Sequence, residues 1–456
     1  MQAGILDIST VLLVLAAGFS YLNHKLLRLP FTIGLTISGL AAAAGILLLD
    51  AAVPSLGLGA AVRQALGLVD FPASLMRGML GFLLFAGALH VDLGHLMARK
   101  YVILTLATVG VALSTAIIGV GSYGLFRLAG VPVPFLYCLV FGALISPTDP
   151  IAVLGVMKTL GVPRSLEIKV AGESLFNDGI GVVIFTLLLG TTAGGHAVSL
   201  GSVGHLLVRE VGGGLLLGLA AGFLVYRVMK TLDEPNLEVL LSFALVMGIT
   251  LVAFRSHLSA PLACVVAGLF IGNHGRRFAM SARTTQALDL VWGFVDHTLN
   301  AVLFLLVGLE VAATLVLAVR PLLASGLILL LSLGTRLISV AIPVALLRPF
   351  RTFTPGAVTI LSWGGLRGGI SVALALSLPP FPGRPLVLTA TSCIVAFSVI
   401  VQGLTIGPLI HRRFPHGGQE AGFQAHSPEM PDGPQTEASF SAGSGTIPSI
   451  SRDLLR

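Results

Sequence analysis

About thirteen stretches of this chain are long and apolar enough to cross a lipid bilayer, near residues 8–22, 31–49, 76–94, 101–127, 132–157, 169–193, 205–229, 237–255, 258–273, 288–316, 321–347, 354–379 and 385–411. A spanning helix needs roughly 20 mostly apolar residues. In hydrocarbon each backbone N–H and C=O must find a partner inside the protein, so such runs fold as helices. Only 10% of the 456 residues are Asp, Glu, Lys or Arg, against about 25% in soluble domains. That excludes an ordinary soluble enzyme, a disordered chain and a nucleic-acid binder, despite a net charge of +7. The first run lacks a basic leader and a small-residue cleavage site before a polar chain, so it reads as a span. Residues 50–75, with Pro54, Arg63 and Asp70, leave room for a short interfacial helix. Cys138, Cys264 and Cys393 are scattered through apolar runs, which predicts no disulfide framework, no metal cluster and no cofactor. The chain reads as an all-α polytopic membrane protein.

Orientation follows from the basic residues. Alternate connections carry Lys25 and Arg28; Arg99 and Lys100; Lys158, Arg164 and Lys169; Arg227 and Lys230; Arg276, Arg277 and Arg283; Arg348 and Arg351; Arg412 and Arg413, 16 in all. The opposite set holds seven: Arg63, Arg77, Arg127, Arg209, Arg255, Arg320 and Arg384. The rich side is expected to be cytoplasmic, with the N-terminus outside and the C-terminus inside a cell (inner or plasma) membrane. Much of the +7 is then a topology signal, with some attraction to anionic lipid headgroups. From 414 to 456 the composition turns to Pro, Gly, Ser, Gln and Glu, which predicts a disordered cytoplasmic tail without a domain of its own.

Ionisable groups at mid-membrane cost at least ~2.5–3.5 kcal/mol on insertion scales, so those that occur are functional candidates. Asp149, Glu173, Asp178, Arg336 and Arg367 qualify, while Asp289, Asp296 and Glu310 lie nearer span ends, where an interfacial or structural role is expected. Asp149 belongs to Ser146-Pro147-Thr148-Asp149-Pro150, in the middle of the fifth span. The two prolines remove two amide donors and disfavour helical geometry at Ser146 and Asp149. A broken helix follows, its second half starting at Pro150 with Thr148 or Asp149 as cap. The sixth span opens Gly172-Glu173-Ser174-Leu175-Phe176-Asn177-Asp178-Gly179. Helical periodicity puts Glu173 and Asn177 on one face and Ser174 and Asp178 on the adjoining one. A polar network glueing helices together suits Glu173 and Asn177; an unpaired Asp178 carboxylate adds cost without glueing. The twelfth span contains Gly364-Gly365-Leu366-Arg367-Gly368-Gly369, a second interruption. Paired interruptions in corresponding halves point to inverted repeats and alternating access, here matching spans 4–6 with 11–13. No residue-level identity between the halves supports that repeat.

These residues resemble a known family. Phe141 to Met157, with its Ser-Pro-Thr-Asp-Pro core, Gly172 to Val183, with Asn177-Asp178, and Gly365 to Ile370 look like the monovalent cation:proton antiporters, in the branch of NhaP-type and animal sodium/proton exchangers. Phe82–Leu89, Phe304–Glu310 and Thr335–Val340 add weaker matches, and the resemblance runs from about residue 10 to 411. It implies an NhaA-like fold with two crossing unwound helices. The antiporter domain would span 1–413, with an ion-translocating bundle from about 101–193 and 321–411. The remaining helices would serve dimerisation and scaffold. By position, Asp178 resembles the carboxylate that takes cation and proton alternately. Asp149 would lie beside it as a second monovalent-cation ligand, with Thr148 and Ser174 as oxygen ligands and Asn177 completing the cation- and proton-binding set. Asn177 in place of a second aspartate is similar to the electroneutral branch. Glu173 is expected to pair with Arg336, with Arg367 as the other candidate partner; otherwise Arg367 compensates half-helix carbonyls. Many relatives carry an acid where this chain has Ala86 in the third span, so any role of that acid is absent here.

The expected activity is exchange of one monovalent cation, Na⁺ and also Li⁺, for one H⁺ by a homodimer in the bilayer, without an enzymatic reaction. A K⁺/H⁺ antiporter of the same fold is the alternative, since ligand distances decide selectivity. A passive cation channel has no need of one titratable carboxylate beside broken helices. An intramembrane aspartyl protease using Asp149 and Asp178 would need the Gly-x-Gly-Asp signature, which neither aspartate carries.

Overall fold

A computed structural model describes residues 5–53, 70–194, 208–314, 319–351 and 353–414, together with residues 55, 204 and 206. The expected tail beyond residue 414, and most of the 50–75 segment with Pro54 and Arg63, lie outside the described residues. Among the described residues the long apolar runs are helical. In order, the helices are α1 (Ile5–Leu22), α2 (Phe31–Ala52), α3 (Phe71–Leu89), the short α4 (Leu93–Ala98) and α5 (Lys100–Leu128). The half-helices α6 (Phe135–Ile145) and α7 (Ile151–Thr159) precede α8 (Arg164–Gly194), α9 (Val208–Met229), α10 (Pro235–Ser256) and α11 (Ala260–Phe270). Then come α12 (Ala282–Thr314), α13 (Val319–Leu347), the half-helices α14 (Ala357–Trp363) and α15 (Gly369–Leu376), and α16 (Arg384–Arg413). Among the described residues ten helices are long and apolar enough to cross a membrane. The other three expected spans correspond to α6 with α7, to α11, and to α14 with α15.

Small residues set the helix crossings, as in membranes where packing replaces the hydrophobic drive. Gly39 of α2 and Gly308 of α12 face each other: a Cβ on Gly39 would lie 2.7 Å from the Leu305 carbonyl, and one on Gly308 2.8 Å from the Leu40 nitrogen. Thr36 Oγ1 donates to the Phe304 carbonyl at 3.3 Å across the same seam. Two apolar clusters flank the centre. One, with Ile118, Phe141, Ile145, Ile328, Leu374 and Val387, joins α5, α6, α13, α15 and α16. The other surrounds Trp292 of α12, whose ring packs on Phe82, Phe85 and Phe243 and whose Nε1 donates to Ser242 Oγ at 2.8 Å.

Two expectations change in detail. Ser146 keeps helical geometry (φ −68°, ψ −36°) although a proline follows it, because its hydroxyl donates to the Gly142 carbonyl at 2.8 Å and a guanidinium caps its own carbonyl. For Glu310 the expectation narrows to a structural role: it is buried, 7% exposed, inside α12.

Candidate functional site

The proline break between α6 and α7 and the glycine break between α14 and α15 meet. The Asp149 N–H donates to the Leu366 carbonyl at 2.8 Å, a single bridge joining the two unwound segments. Each break frees backbone groups that hydrocarbon cannot solvate, and their partners can be followed one by one. Arg367 Nη1 donates to the carbonyls of Ser146, at 2.5 Å, and Pro147, at 2.9 Å. Ser174 Oγ donates to the Thr148 carbonyl. Asp149 Oδ1 accepts from the Ile151 N–H at 2.9 Å and so caps α7. On the other break, the Arg367 N–H donates to Ser398 Oγ at 2.8 Å, and Gln402 Nε2 donates to the Trp363 carbonyl at 3.2 Å. Gly368 carries no side chain because Asp149 occupies the space: a Cβ there would lie 2.5 Å from Asp149 Oδ2.

The polar arc of α8 supplies the rest. Asn177 braces the first break from both ends of its amide: Nδ2 donates to Thr148 Oγ1 at 2.7 Å, and Oδ1 accepts from the Thr148 N–H at 3.4 Å. Glu173 and Arg336 form a buried bidentate pair, Nη1 to Oε1 at 2.5 Å and Nη2 to Oε2 at 3.0 Å. Arg336 Nη2 also donates to the Leu361 carbonyl of α14 at 2.9 Å, so this pair ties α8 and α13 to the second break. Asp178 differs from its neighbours. It is 6% exposed and its Oδ1 has no hydrogen-bond partner among the described residues. The charges of Asp149, Glu173 and Arg367 all act on it.

Asp178 and Asp149 line a cavity of about 690 Å³. Thr148, Ser174 and Ser371 lie on its wall, and the exposed side chains of His90, Asp92, Lys158 and Arg164 mark its open end. Asp92 caps α4 by accepting from the His95 N–H at 2.9 Å, and that bond holds its carboxyl below the usual range. Ala86 is buried, 1% exposed, and lends the cavity no charge. The sequence-predicted residues Thr148, Asp149, Glu173, Ser174, Asn177, Asp178, Arg336 and Arg367 thus gather around the two breaks.

Sequence reasoning placed Asp296 at a span end, whereas the structure puts it in the wall of this same cavity, in electrostatic reach of Asp149. Asn300, one turn further along α12, donates from Nδ2 to Asp296 Oδ1 at 3.0 Å and leaves its own Oδ1 without a partner. The four-residue spacing of Asp296 and Asn300 was the available signal, a polar pair one turn apart on a long apolar helix. Asp289 takes the structural role expected of it, in a pair with Arg276 and a contact at 3.2 Å with His90.

Comparison with known proteins agrees with this geometry. Residues 10–412 match the family described as sodium/hydrogen exchanger, transmembrane. The Na⁺/H⁺ antiporter NhaP of Pseudomonas aeruginosa is 44% identical over 430 residues, covering 92% of this chain and 100% of that protein. The Na⁺/H⁺ antiporter NhaH of Halobacillus dabanensis is 39% identical over 347 residues, 75% of this chain and 83% of that one. The fold is similar to the sodium proton antiporter MjNhaP1 of Methanocaldococcus jannaschii, with a TM-score of 0.68 at 18% identity, over 89% of this chain and 97% of that one. The chain is a multi-pass membrane protein and belongs to the sodium/hydrogen exchanger family.

Proposed function

We propose that the protein is a secondary active antiporter that exchanges Na⁺, and also Li⁺, for H⁺ by alternating access, with Asp178 as the shared ligand. The observation that carries this is the unpartnered Asp178 oxygen at the buried end of a cavity that opens to solvent. A buried carboxylate is tolerated only when a proton or a coordinated cation neutralises it. Asp178 can hold either, but not both. If the site changes sides only when neutral, each cation moved one way obliges a proton to move the other.

Charge counting supports one for one. Asp149, Glu173 and Asp178 are three carboxylates; Arg336 and Arg367 are two guanidiniums. With these five ionised, and Asp296 of the cavity wall left out as a group outside the two breaks, one negative charge remains, which one H⁺ or one Na⁺ cancels. Asp149 is the second carboxylate ligand, and the Thr148 and Ser174 oxygens beside it complete a hard-oxygen shell suited to Na⁺. Asn177, Arg336, Glu173 and Arg367 hold the breaks open.

The exposed rim residues Lys158 and Arg164 belong to the basic-rich set of connections, so the cavity is read as facing the cytoplasm, with the N-terminus outside and the C-terminus inside a cell membrane. Thirteen spans, counting the two broken pairs and α11, give those ends opposite sides. The two breaks are read as equivalent points of inverted repeats within a bundle formed by about 101–193 and 321–411. The remaining helices form the scaffold and the contact of a homodimer, and 414–456 is a cytoplasmic tail.

The test is proton movement in proteoliposomes on addition of Na⁺, Li⁺ or K⁺, with and without a clamped membrane potential. Na⁺ and Li⁺ should release protons independently of the potential, and Asp178→Asn should abolish release while eluting as a folded species. Retained exchange in folded Asp178→Asn protein would overturn the assignment.

A further inference from the structure

On the opposite face of α8 from the cavity lies a group of positive charges with no negative partner among the described residues. Lys169 is buried, 4% exposed, yet makes no hydrogen bond or ion pair among the described residues. Its Nζ stands 4.9 Å from the centroid of the Phe353 ring. Arg99, at the foot of α5, acts on it electrostatically as a second positive charge. Next to Arg99, the Tyr101 ring is flanked by Lys100 Nζ at 5.3 Å and by the Arg351 guanidinium at 5.4 Å. Four cations and two aromatic rings thus converge from α5, α8 and the α13–α14 connection, which a hydrogen bond between Ser165 and Thr354 (3.4 Å) holds against α8. Among the described residues no carboxylate joins them: Glu167 lines the cavity and Glu173 is taken by Arg336.

An ammonium on a largely buried side chain beside like charges is costly, and the cost is removed by an anion. We propose that this cluster binds the phosphate of an anionic membrane lipid. Its place in the fold selects the lipid over a soluble anion. Lys100 and Arg164 begin their spans and Leu347 ends another, so the cluster sits at one bilayer boundary, on the basic-rich side. Basic pockets between helices at that level are where acidic headgroups are held. Tyr101 is 56% exposed and Leu104, one turn deeper on α5, is 44% exposed, so acyl chains have an apolar face to lie along. A bound phosphate would cross-link the ends of α5, α8 and α13. Two of these helices carry Glu173 and Arg336.

The experiment uses the full-length protein in a neutral detergent, with thermal melting and native mass spectrometry as readouts. Phosphatidylglycerol should raise the melting temperature and remain bound to the wild-type chain, while phosphatidylcholine and inorganic phosphate should do neither. Lys100→Gln with Arg351→Gln, both side chains being accessible, should at least halve the shift and remove the retained lipid. Lys169→Met should lose the response and melt higher than wild type without lipid, since the unpaired buried charge is gone. An equal shift from phosphatidylcholine, a shift from inorganic phosphate alone, or an undiminished phosphatidylglycerol response in the double variant would overturn the proposal.

Discussion

At the residue scale, the polar groups of the site divide into those with partners and those without, and that division assigns their work. Glu173 has both carboxylate oxygens paired with Arg336, whose Nη1 and Nη2 make three hydrogen bonds to Glu173 and the Leu361 carbonyl, while its Nε has no partner among the described residues. Breaking a buried pair of this kind costs about 3–5 kcal/mol, because the surviving charge is stranded. Glu173→Gln should therefore lower the melting temperature markedly, while Glu173→Gln with Arg336→Gln should recover part of the loss; equal melting of wild type and Glu173→Gln would remove the structural role. Asp296 is the contrasting case. It lies in the cavity wall between the open end and Asp149, where a carboxylate raises the local cation concentration without binding the transported ion at rest. Asp296→Asn should raise the apparent KM for Na⁺ roughly threefold or more at low ionic strength. The maximal rate should hold, and the difference should shrink as salt screens the charge. The sequence showed the rarity of ions in the apolar runs, and that alone singled out Asp149, Glu173, Asp178, Arg336 and Arg367. It could not show that Asp296 shares their cavity, because its distance from Asp149 is a property of how α12 packs.

At the element scale, the two broken helices were legible from chemistry. Prolines at 147 and 150 delete amide donors, and glycines at 364, 365, 368 and 369 supply no side chain to stabilise a turn. What sequence could not supply was their mutual contact, since hydrogen bonds across more than 200 residues depend on tertiary packing. The Asp149 N–H to Leu366 carbonyl bond and the reach of Arg367 to Ser146 and Pro147 are of that kind. Gly368 makes the dependence testable. A Cβ there meets Asp149 Oδ2 at 2.5 Å and its Cβ at 2.9 Å, so something must shift. Overpacking of this sort costs roughly 1–3 kcal/mol. Here the group displaced is a site carboxylate, so Gly368→Ala should impair exchange far more than stability. A folded Gly368→Ala protein with wild-type Na⁺ affinity and rate would show that the two breaks need not touch at this point.

At the scale of the whole molecule, the cavity is open at one end and closed at the other. Away from the cavity lining, Ile118, Phe141, Leu374 and Val387 pack in one apolar cluster, with Tyr137 stacked on Phe381 at 4.0 Å. Exchange needs the opposite closure as well, and under the proposed mechanism Asp178 serves both states. Competition at one carboxylate has a definite pH signature. Lowering pH below the proton affinity of the site should raise the apparent KM for Na⁺ by up to about tenfold per unit, the limit for one proton against one cation. Saturating Na⁺ should restore the rate. Raising pH should first lower KM to a plateau, then depress the maximal rate, because the return step needs a protonated carrier. The rate at fixed subsaturating Na⁺ is then bell-shaped in pH even though a single group titrates. The limbs move differently: more Na⁺ on the cavity side shifts the acid limb to lower pH, whereas protons supplied from the opposite face rescue only the alkaline limb. Measuring both limbs in oriented proteoliposomes, with pH varied on one face at a time, distinguishes this scheme from a channel, whose cation flux needs no proton return. A Na⁺ KM that stayed constant while the acid limb fell would place the competing proton on some group other than the cation ligand, and Asp178 would lose its double role.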